Sequence, residues 1–148
     1  MIVLSVVTCI TVGLLVGVEL AVATVLHPLL VRLPAGPSLA ARADSARRLG
    51  RTMPFWYAGS VLLSTVLAIL TWGTPAGSAA LLAATLLALS VALTVLFLVP
   101  INNRSATWTP ASHPDDWREQ HRRWDRLHIG RVAIIATAFV LITVSASA

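Results

Sequence analysis

The chain has 148 residues, of which 57% are hydrophobic and only 11% charged, and its net charge is +5. Soluble domains carry about a quarter charged residues, so the composition excludes an ordinary soluble protein and predicts one integral membrane domain, residues 1–148. It also excludes a nucleic-acid-binding protein, because the arginines form no basic patch on a soluble fold. They lie in two segments, at positions 32–51 and 104–131, each bounded by long apolar runs.

The two arginine-rich segments predict the orientation in the membrane. Short segments rich in Arg and Lys stay on the cytoplasmic side, and all 11 basic residues of this chain lie in these two segments. We therefore expect a multi-pass protein of the cell membrane with both arginine-rich loops in the cytoplasm and both termini outside.

The first predicted span covers residues 1–33, more than the roughly 20 residues that cross about 30 Å of hydrocarbon. It is too long for a signal-peptide core and has no basic residue at its start, so we expect it to be retained. Gly13 and Gly17 have the small-xxx-small spacing that lets another helix approach closely. This spacing would allow a homo-oligomer through Gly13 and Gly17.

A proline- and glycine-rich segment, residues 33–38, predicts a break in the chain. Residues 39–53 mix arginines with small apolar residues, which predicts a short amphipathic helix on the membrane surface; a solvated loop is the alternative. The second span, residues 55–72, would begin after Pro54, since proline is favoured in a first helical turn. The arginines expected to face anionic headgroups are Arg42, Arg47, Arg48 and Arg51.

The third span, residues 78–99, contains no ionisable group, and a proline-rich loop, residues 100–114, follows it. A polar helical extension, residues 115–131, starts with two aspartates, which favour a helix N-terminus. It continues into the fourth span, residues 132–147. The predicted fold is therefore all-α, an integral membrane four-helix bundle with a short amphipathic helix between spans 1 and 2.

Ionisable groups inside spans are costly and indicate function by default. From a rise of about 1.5 Å per residue, Glu19, His128 and Arg131 lie roughly 26–30 Å from the outer surface. We therefore expect these three residues to meet in a polar pocket in the cytoplasmic half of the bundle. The structural alternative is a buried Glu19–Arg131 ion pair that sets helix register, with His128 as a packing residue.

A second level, roughly 36–40 Å from the outer surface, holds His27, His121 and Asn102. His27 precedes Pro28, and its alternative role is to bond a carbonyl that the proline leaves free. Asn102 has the alternative of ending a helix. Trp124 would be either a platform for an aromatic substrate or an interfacial anchor.

The metal-binding pattern is weak. His121 and His128 are seven residues apart, about 10.5 Å along a straight helix, so they cannot chelate one ion together. Any metal would need ligands from different helices, such as Glu19 with His128 or His27 with His121. The sequence leaves the cofactor open between none and a single metal ion.

Three short motifs resemble those of the anthrone oxygenase family of small four-helix membrane proteins. They are HPLLVRLP at residues 27–34, PIN at 100–102 and WDRLHIGR at 124–131, and the last holds the family's Trp followed by His-x-x-Arg. The residues that match the family pattern by position are Asn102, Trp124, His128 and Arg131.

The resemblance implies a monooxygenase that converts an anthrone-like polyketide to a quinone with dioxygen. In the leading hypothesis, His128 is the base and Arg131 or Asn102 stabilises the oxyanion. Glu19 would orient Arg131 or His128, or ligate a metal ion if one is bound. The expected substrate-binding residues are Trp124, His27 and His121.

Two other functions remain open. The chain would be a non-enzymatic membrane partner or assembly protein if its polar cluster were structural. A transporter that uses Glu19 is disfavoured, because spans two and three have no polar path.

Overall fold

The computed structural model describes residues 1–148, and four long helices form the whole architecture. Each is long and apolar enough to cross a membrane: α1 Ile2–Arg32, α2 Ala35–Leu70, α3 Pro75–Ser105 and α4 Trp117–Ser147. They pack in a ring in which α1 contacts α2 and α4, and α3 contacts α2 and α4. The protein is a multi-pass membrane protein, and the predicted all-α four-helix bundle is confirmed.

The second helix differs from its prediction. The expected surface helix at 39–53 and the span at 55–72 form one continuous helix, with Pro54 in its interior. Pro54 forfeits one backbone hydrogen bond, but the residues before it pack against the bundle, where Leu39 and Ala43 are buried. Arg42 is also buried, so its expected position among lipid headgroups is wrong. Packing of this inner face outweighs the helix-breaking tendency of the proline.

The first and third helices each contain a π-helical turn before a proline. These turns are Val22–Leu26 in α1 and Thr94–Leu98 in α3, and Pro28 and Pro100 follow them. Proline has no N–H for the usual bond to the fourth preceding carbonyl, and a π turn accommodates the mismatch without ending the helix. The predicted loop at 100–114 therefore begins only after Ser105.

The apolar core lies toward the end of the bundle that holds the termini. Gly13 packs tightly there, because a Cβ on it would lie 2.9 Å from the ring of Phe139 on α4. The small residue thus serves a contact within the chain, whereas Gly17 has no neighbour within 4 Å of such a Cβ. The homo-oligomer through Gly13 and Gly17 stays a prediction. The buried apolar residues of this core are Val12, Leu15, Tyr57, Leu67, Ala68, Ala80, Ala83, Leu87, Ile135, Ala138 and Ile142.

Candidate functional site

A cavity of about 980 Å³ occupies the arginine-rich half of the bundle. All four helices line it, and most of its lining residues on α2 and α3 are apolar or small. Its ionisable side chains come mainly from α1 and α4. Every site residue expected from the sequence lines this one space: Glu19, His27, Asn102, His121, Trp124, His128 and Arg131.

Glu19 and Arg131 form the centre of a buried polar network. Arg131 Nη2 donates to Glu19 Oε2 at 2.6 Å, and the two residues are only 6% and 3% exposed, Arg131 and Glu19 respectively. The hydroxyl of Tyr57 donates to Glu19 Oε1 at 3.1 Å, and Arg131 Nη1 donates to Thr94 Oγ1 at 2.9 Å. The network therefore joins all four helices. We call this network, together with His128, the inner cluster.

His128 has both ring nitrogens occupied. Nε2 lies 3.1 Å from the carbonyl oxygen of Glu19, and Nδ1 lies 2.9 Å from Arg131 Nη2. A carbonyl only accepts and a guanidinium only donates, so Nε2 carries the hydrogen and Nδ1 is the acceptor. His128 is fully buried. Neither ring nitrogen is free to take a proton from a substrate in this geometry. That His128 is the base stays a prediction, which this arrangement does not favour.

Unlike His128, His27 keeps one ring nitrogen without a partner in the protein. Its Nδ1 lies 3.3 Å from Asp125 Oδ1, although the alignment is not that of a hydrogen bond. Asp125 also accepts two hydrogen bonds of 3.0 Å from Arg42. The opposite ring nitrogen of His27, Nε2, has no partner in the protein, and the residue lines the cavity. A carboxylate that faces Nδ1 favours the tautomer whose Nε2 is a free base.

The ring of Trp124 contacts both His128 of the inner cluster and His27. Its ring stacks on that of His128, with centroids 4.8 Å apart and planes inclined by 17°, and meets the edge of the His27 ring, also at 4.8 Å. His27 lies 5.1 Å from His128, centroid to centroid. The straight-helix heights place His27 nearer the arginine-rich end than His128, but α1 and α4 are antiparallel. Because each side chain tilts toward the N-terminus of its own helix, the two rings meet.

His121 lies nearer to the loop end of the cavity. Its ring is 5.2 Å from Trp108 and 5.5 Å from Trp117 between centroids. Asn102 is half-buried in the last turn of α3, and its carbonyl oxygen accepts a hydrogen bond of 3.1 Å from Ser105. His121 and Asn102 line the same cavity as His27, and each has neighbours of its own.

Several buried nitrogens at the cavity have no hydrogen-bond partner. They include Trp124 Nε1 and Arg131 Nε, which are both donors, and both ring nitrogens of His121. Buried polar groups are nearly always hydrogen-bonded, so these unpartnered nitrogens distinguish the residues around the cavity from an ordinary packed core. No group of three or more His, Cys, Asp or Glu side chains is arranged to hold a metal ion.

Sequence reasoning missed Tyr57, Thr94 and the ion pair of Arg42 with Asp125. Tyr57 follows Phe55 and Trp56, so it looked like part of an interfacial aromatic belt. Thr94 is one of many threonines in the apolar helices, and most of them bond their own helix backbone. The signal for Arg42 was its spacing, since it shares a helical face with Leu39 and Ser38.

A family model described as "Anthrone oxygenase" matches residues 47–141, which is more than half of the chain. The matched segment contains Asn102, His121, Trp124, His128 and Arg131, whereas Glu19 and His27 precede it. No curated protein and no solved structure matches the chain. The match extends over three of the four helices and the α4 side of the cavity, and the chain therefore belongs to the anthrone oxygenase family.

Proposed function

We propose that the protein is a membrane-embedded monooxygenase that converts a lipophilic anthrone-like aromatic to the corresponding quinone. The observation that carries this proposal is the cavity of about 980 Å³, which is lined mainly by apolar residues together with Trp124 and Arg131, whose Nε1 and Nε have no partner in the protein. Cavities of about 300–1,000 Å³ hold small organic ligands. A flat aromatic with oxygen substituents matches such a lining.

The reaction balances without an external reductant. A CH₂ group flanked by aromatic rings reacts with O₂, and the products are a carbonyl and water. One oxygen atom becomes the new carbonyl, and the other leaves with the two hydrogens of the CH₂. The protein must hold the substrate, remove one proton and stabilise the resulting enolate so that it can pass an electron to O₂.

We assign the proton removal to His27 rather than to His128. Asp125 faces Nδ1 of His27, and this leaves Nε2 as the free acceptor of a residue that lines the cavity. Proton transfer by a positioned side chain contributes about 10²–10⁴-fold to a rate. His128 would instead orient Arg131 through Nδ1 and support the ring of Trp124.

The charge on the substrate oxygen would be stabilised by donors that the protein leaves unpartnered. Arg131 Nε and Trp124 Nε1 are such donors, and fixed donors in a water-poor site favour a developing oxyanion. The indole of Trp124 would also pack on the substrate rings. Glu19 holds Arg131 in position, and Asn102 and His121 would contact the substrate near the loop end of the cavity.

A second candidate function is a non-enzymatic assembly or partner protein. The inner cluster favours it, because a network that joins all four helices is a structural device as well as a site. The two candidates differ in whether the wild-type protein has catalytic activity. If the network is only structural, Glu19→Gln lowers the stability of a protein that shows no turnover. If the protein is an oxygenase, the wild type turns over its substrate.

The test is product labelling with ¹⁸O₂. Purified protein in lipid nanodiscs is mixed with an anthrone, and quinone formation and O₂ uptake are followed against empty nanodiscs. We expect protein-dependent quinone that carries one ¹⁸O in its new carbonyl. Quinone formation no faster than in empty nanodiscs would contradict the proposed function.

A further inference from the structure

The cavity opens sideways between α2 and α3. Residues that line it and are also exposed mark its mouth, and within the bundle they occur on these two helices only. On α2, Leu62 is 64% exposed, and on α3, Val95 is 58% exposed. The lining residues on α1 and α4 are buried or half-buried. A slit between α2 and α3 is therefore open on the lateral surface of the bundle.

Beyond Arg47, uncharged side chains form the α2 side of this slit. Gly50, Pro54, Ala58 and Leu62 all line the cavity and are exposed. Their spacing of four residues places them on one face of the helix. Across from them, Ala88 and Val95 are exposed lining residues of α3.

Most of the slit lies at hydrocarbon depth. α2 has no charged residue after Arg51, from residue 52 to residue 70, which is about 28 Å of helix. α3 has none before Arg104. A hydrocarbon layer is about 30 Å thick, so Ala58, Leu62 and Val95 face lipid tails rather than water.

A hydrogen bond bridges the slit at the end near the arginines. Arg47 Nη1 on α2 donates a 3.1 Å hydrogen bond to the carbonyl of Ala106, just after α3. This contact joins the two helices where they leave the hydrocarbon. The wide part of the mouth is therefore the part that contacts lipid tails, and the unpartnered donors of Trp124 and Arg131 belong to α4, which does not border the mouth.

We propose that a flat lipophilic substrate enters the cavity from the bilayer through the slit between α2 and α3, with its oxygen-bearing edge leading toward Trp124 and Arg131. This proposal rests on the proposed function and states how the substrate reaches the cavity. A molecule of this kind concentrates in hydrocarbon, and on this route its apolar surface stays out of water until its oxygens meet the donors.

The experiment uses a reversible plug. In a Cys9→Ala background, Ala58→Cys places a thiol in the mouth, and benzyl methanethiosulfonate attaches an apolar ring that a reductant removes. Ala92→Cys is the matched control, because Ala92 is an exposed alanine of α3 that does not line the cavity. Attaching the ring to the folded protein in nanodiscs avoids a failure to fold.

Two readouts are taken on the same samples. One is kcat/KM for the anthrone, and the other is the association rate of an anthraquinone, followed by quenching of tryptophan fluorescence. We expect modification of Ala58→Cys to lower both by about tenfold or more, since entry precedes both. Reduction should restore them, and modified Ala92→Cys should stay within about twofold of its unmodified form.

The outcomes separate the two proposals. Quinone that binds without turnover, but binds slowly when Ala58→Cys is modified, supports the entry route and contradicts the oxygenase. Full modification of Ala58→Cys with unchanged association overturns the entry route, as does an equal loss in Ala92→Cys. Failure of the unmodified protein to bind the quinone contradicts both proposals.

Discussion

Arg131 is held by partners on every helix of the bundle. Glu19 and Thr94 accept its hydrogen bonds, and its guanidinium carbon lies 5.3 Å from the centroid of the Tyr57 ring. Its own helix supplies His128. A buried charge with this many partners fixes the relative positions of the helices, and it also places a cationic donor beside the cavity.

Removing one member of the Glu19–Arg131 pair should destabilise the protein strongly. Arg131→Met leaves the Glu19 carboxylate buried without its partner, which costs about 3–5 kcal/mol. The double variant Glu19→Gln with Arg131→Met should recover part of this loss, because no charge is then left alone. Thermal unfolding in detergent measures both.

Glu119→Gln is the control for this pair. Glu119 also bonds arginines, but it is exposed, and exposed ion pairs contribute little to stability. Its variant should unfold at the wild-type temperature. Additive losses in the double variant of Glu19 and Arg131 would contradict a coupled buried pair.

The tautomers of the histidines are a direct test of the site geometry. We expect His128 to carry its hydrogen on Nε2 and His27 to carry it on Nδ1, from the partners of each ring. ¹⁵N NMR of histidine-labelled protein distinguishes these forms, and there are only four histidines to assign. A hydrogen on Nδ1 of His128 would remove the reason for choosing His27 as the base.

Individual residues were predictable where their chemistry is costly in a membrane. Glu19 and Arg131 stood out because a charge in an apolar span needs a partner, and counting helical rise placed them together. Tyr57 carried no such signal, since a tyrosine near a span end also suits the membrane interface. The tautomer of His128 depends on a backbone carbonyl of another helix, which no sequence pattern indicates.

At the scale of helices, hydropathy predicts their number but not their ends. Pro54 and Pro100 indicate boundaries by local propensity, yet α2 and α3 continue through both. The burial of Leu39 and Ala43 before Pro54 and of Ile101 after Pro100 stabilises helix that the isolated chain would not favour. Tertiary packing decides these boundaries, and a single sequence does not show it.

The turn between α2 and α3 requires a glycine at position 77. Its N–H donates to Thr74 Oγ1 at 3.0 Å, and a Cβ there would collide with the carbonyl of Thr71. Gly77→Ala should therefore destabilise the protein by about 1–3 kcal/mol. Thermal unfolding of the purified variant measures the change.

Gly17→Ala is the matched control, because nothing lies within 4 Å of a Cβ at that position. It should be neutral or stabilise α1 by up to about 1 kcal/mol, since alanine is the better helix former. Equal unfolding temperatures for the Gly77→Ala and Gly17→Ala variants would show that the turn relaxes around the added methyl group.

At the scale of the whole molecule, the bundle has a packed end and an open end. The core near the termini is filled by residues such as Leu15, Ile135 and Ile142, whereas the arginine-rich half encloses the cavity. Composition predicted membrane spans and a polar region in this half. The size of the cavity and its lateral mouth follow from how α2 and α3 pack, which composition does not encode.

We propose that the open end faces the cytoplasm, from the distribution of the arginines. In a Cys9→Ala background, Ala148→Cys should react with a membrane-impermeant maleimide in intact cells, while Ser112→Cys should react only after permeabilisation. The opposite labelling pattern would invert the topology.

The central claim is that His27 removes the proton from a substrate held in this cavity. The most direct measurement is the initial rate of quinone formation from an anthrone by His27→Gln in nanodiscs. His113→Gln is the control, since His113 does not line the cavity. We expect His27→Gln to lose about 10²–10⁴-fold of the protein-dependent rate while His113→Gln keeps it. If folded His27→Gln turned over the anthrone at the wild-type rate, His27 would not be the base.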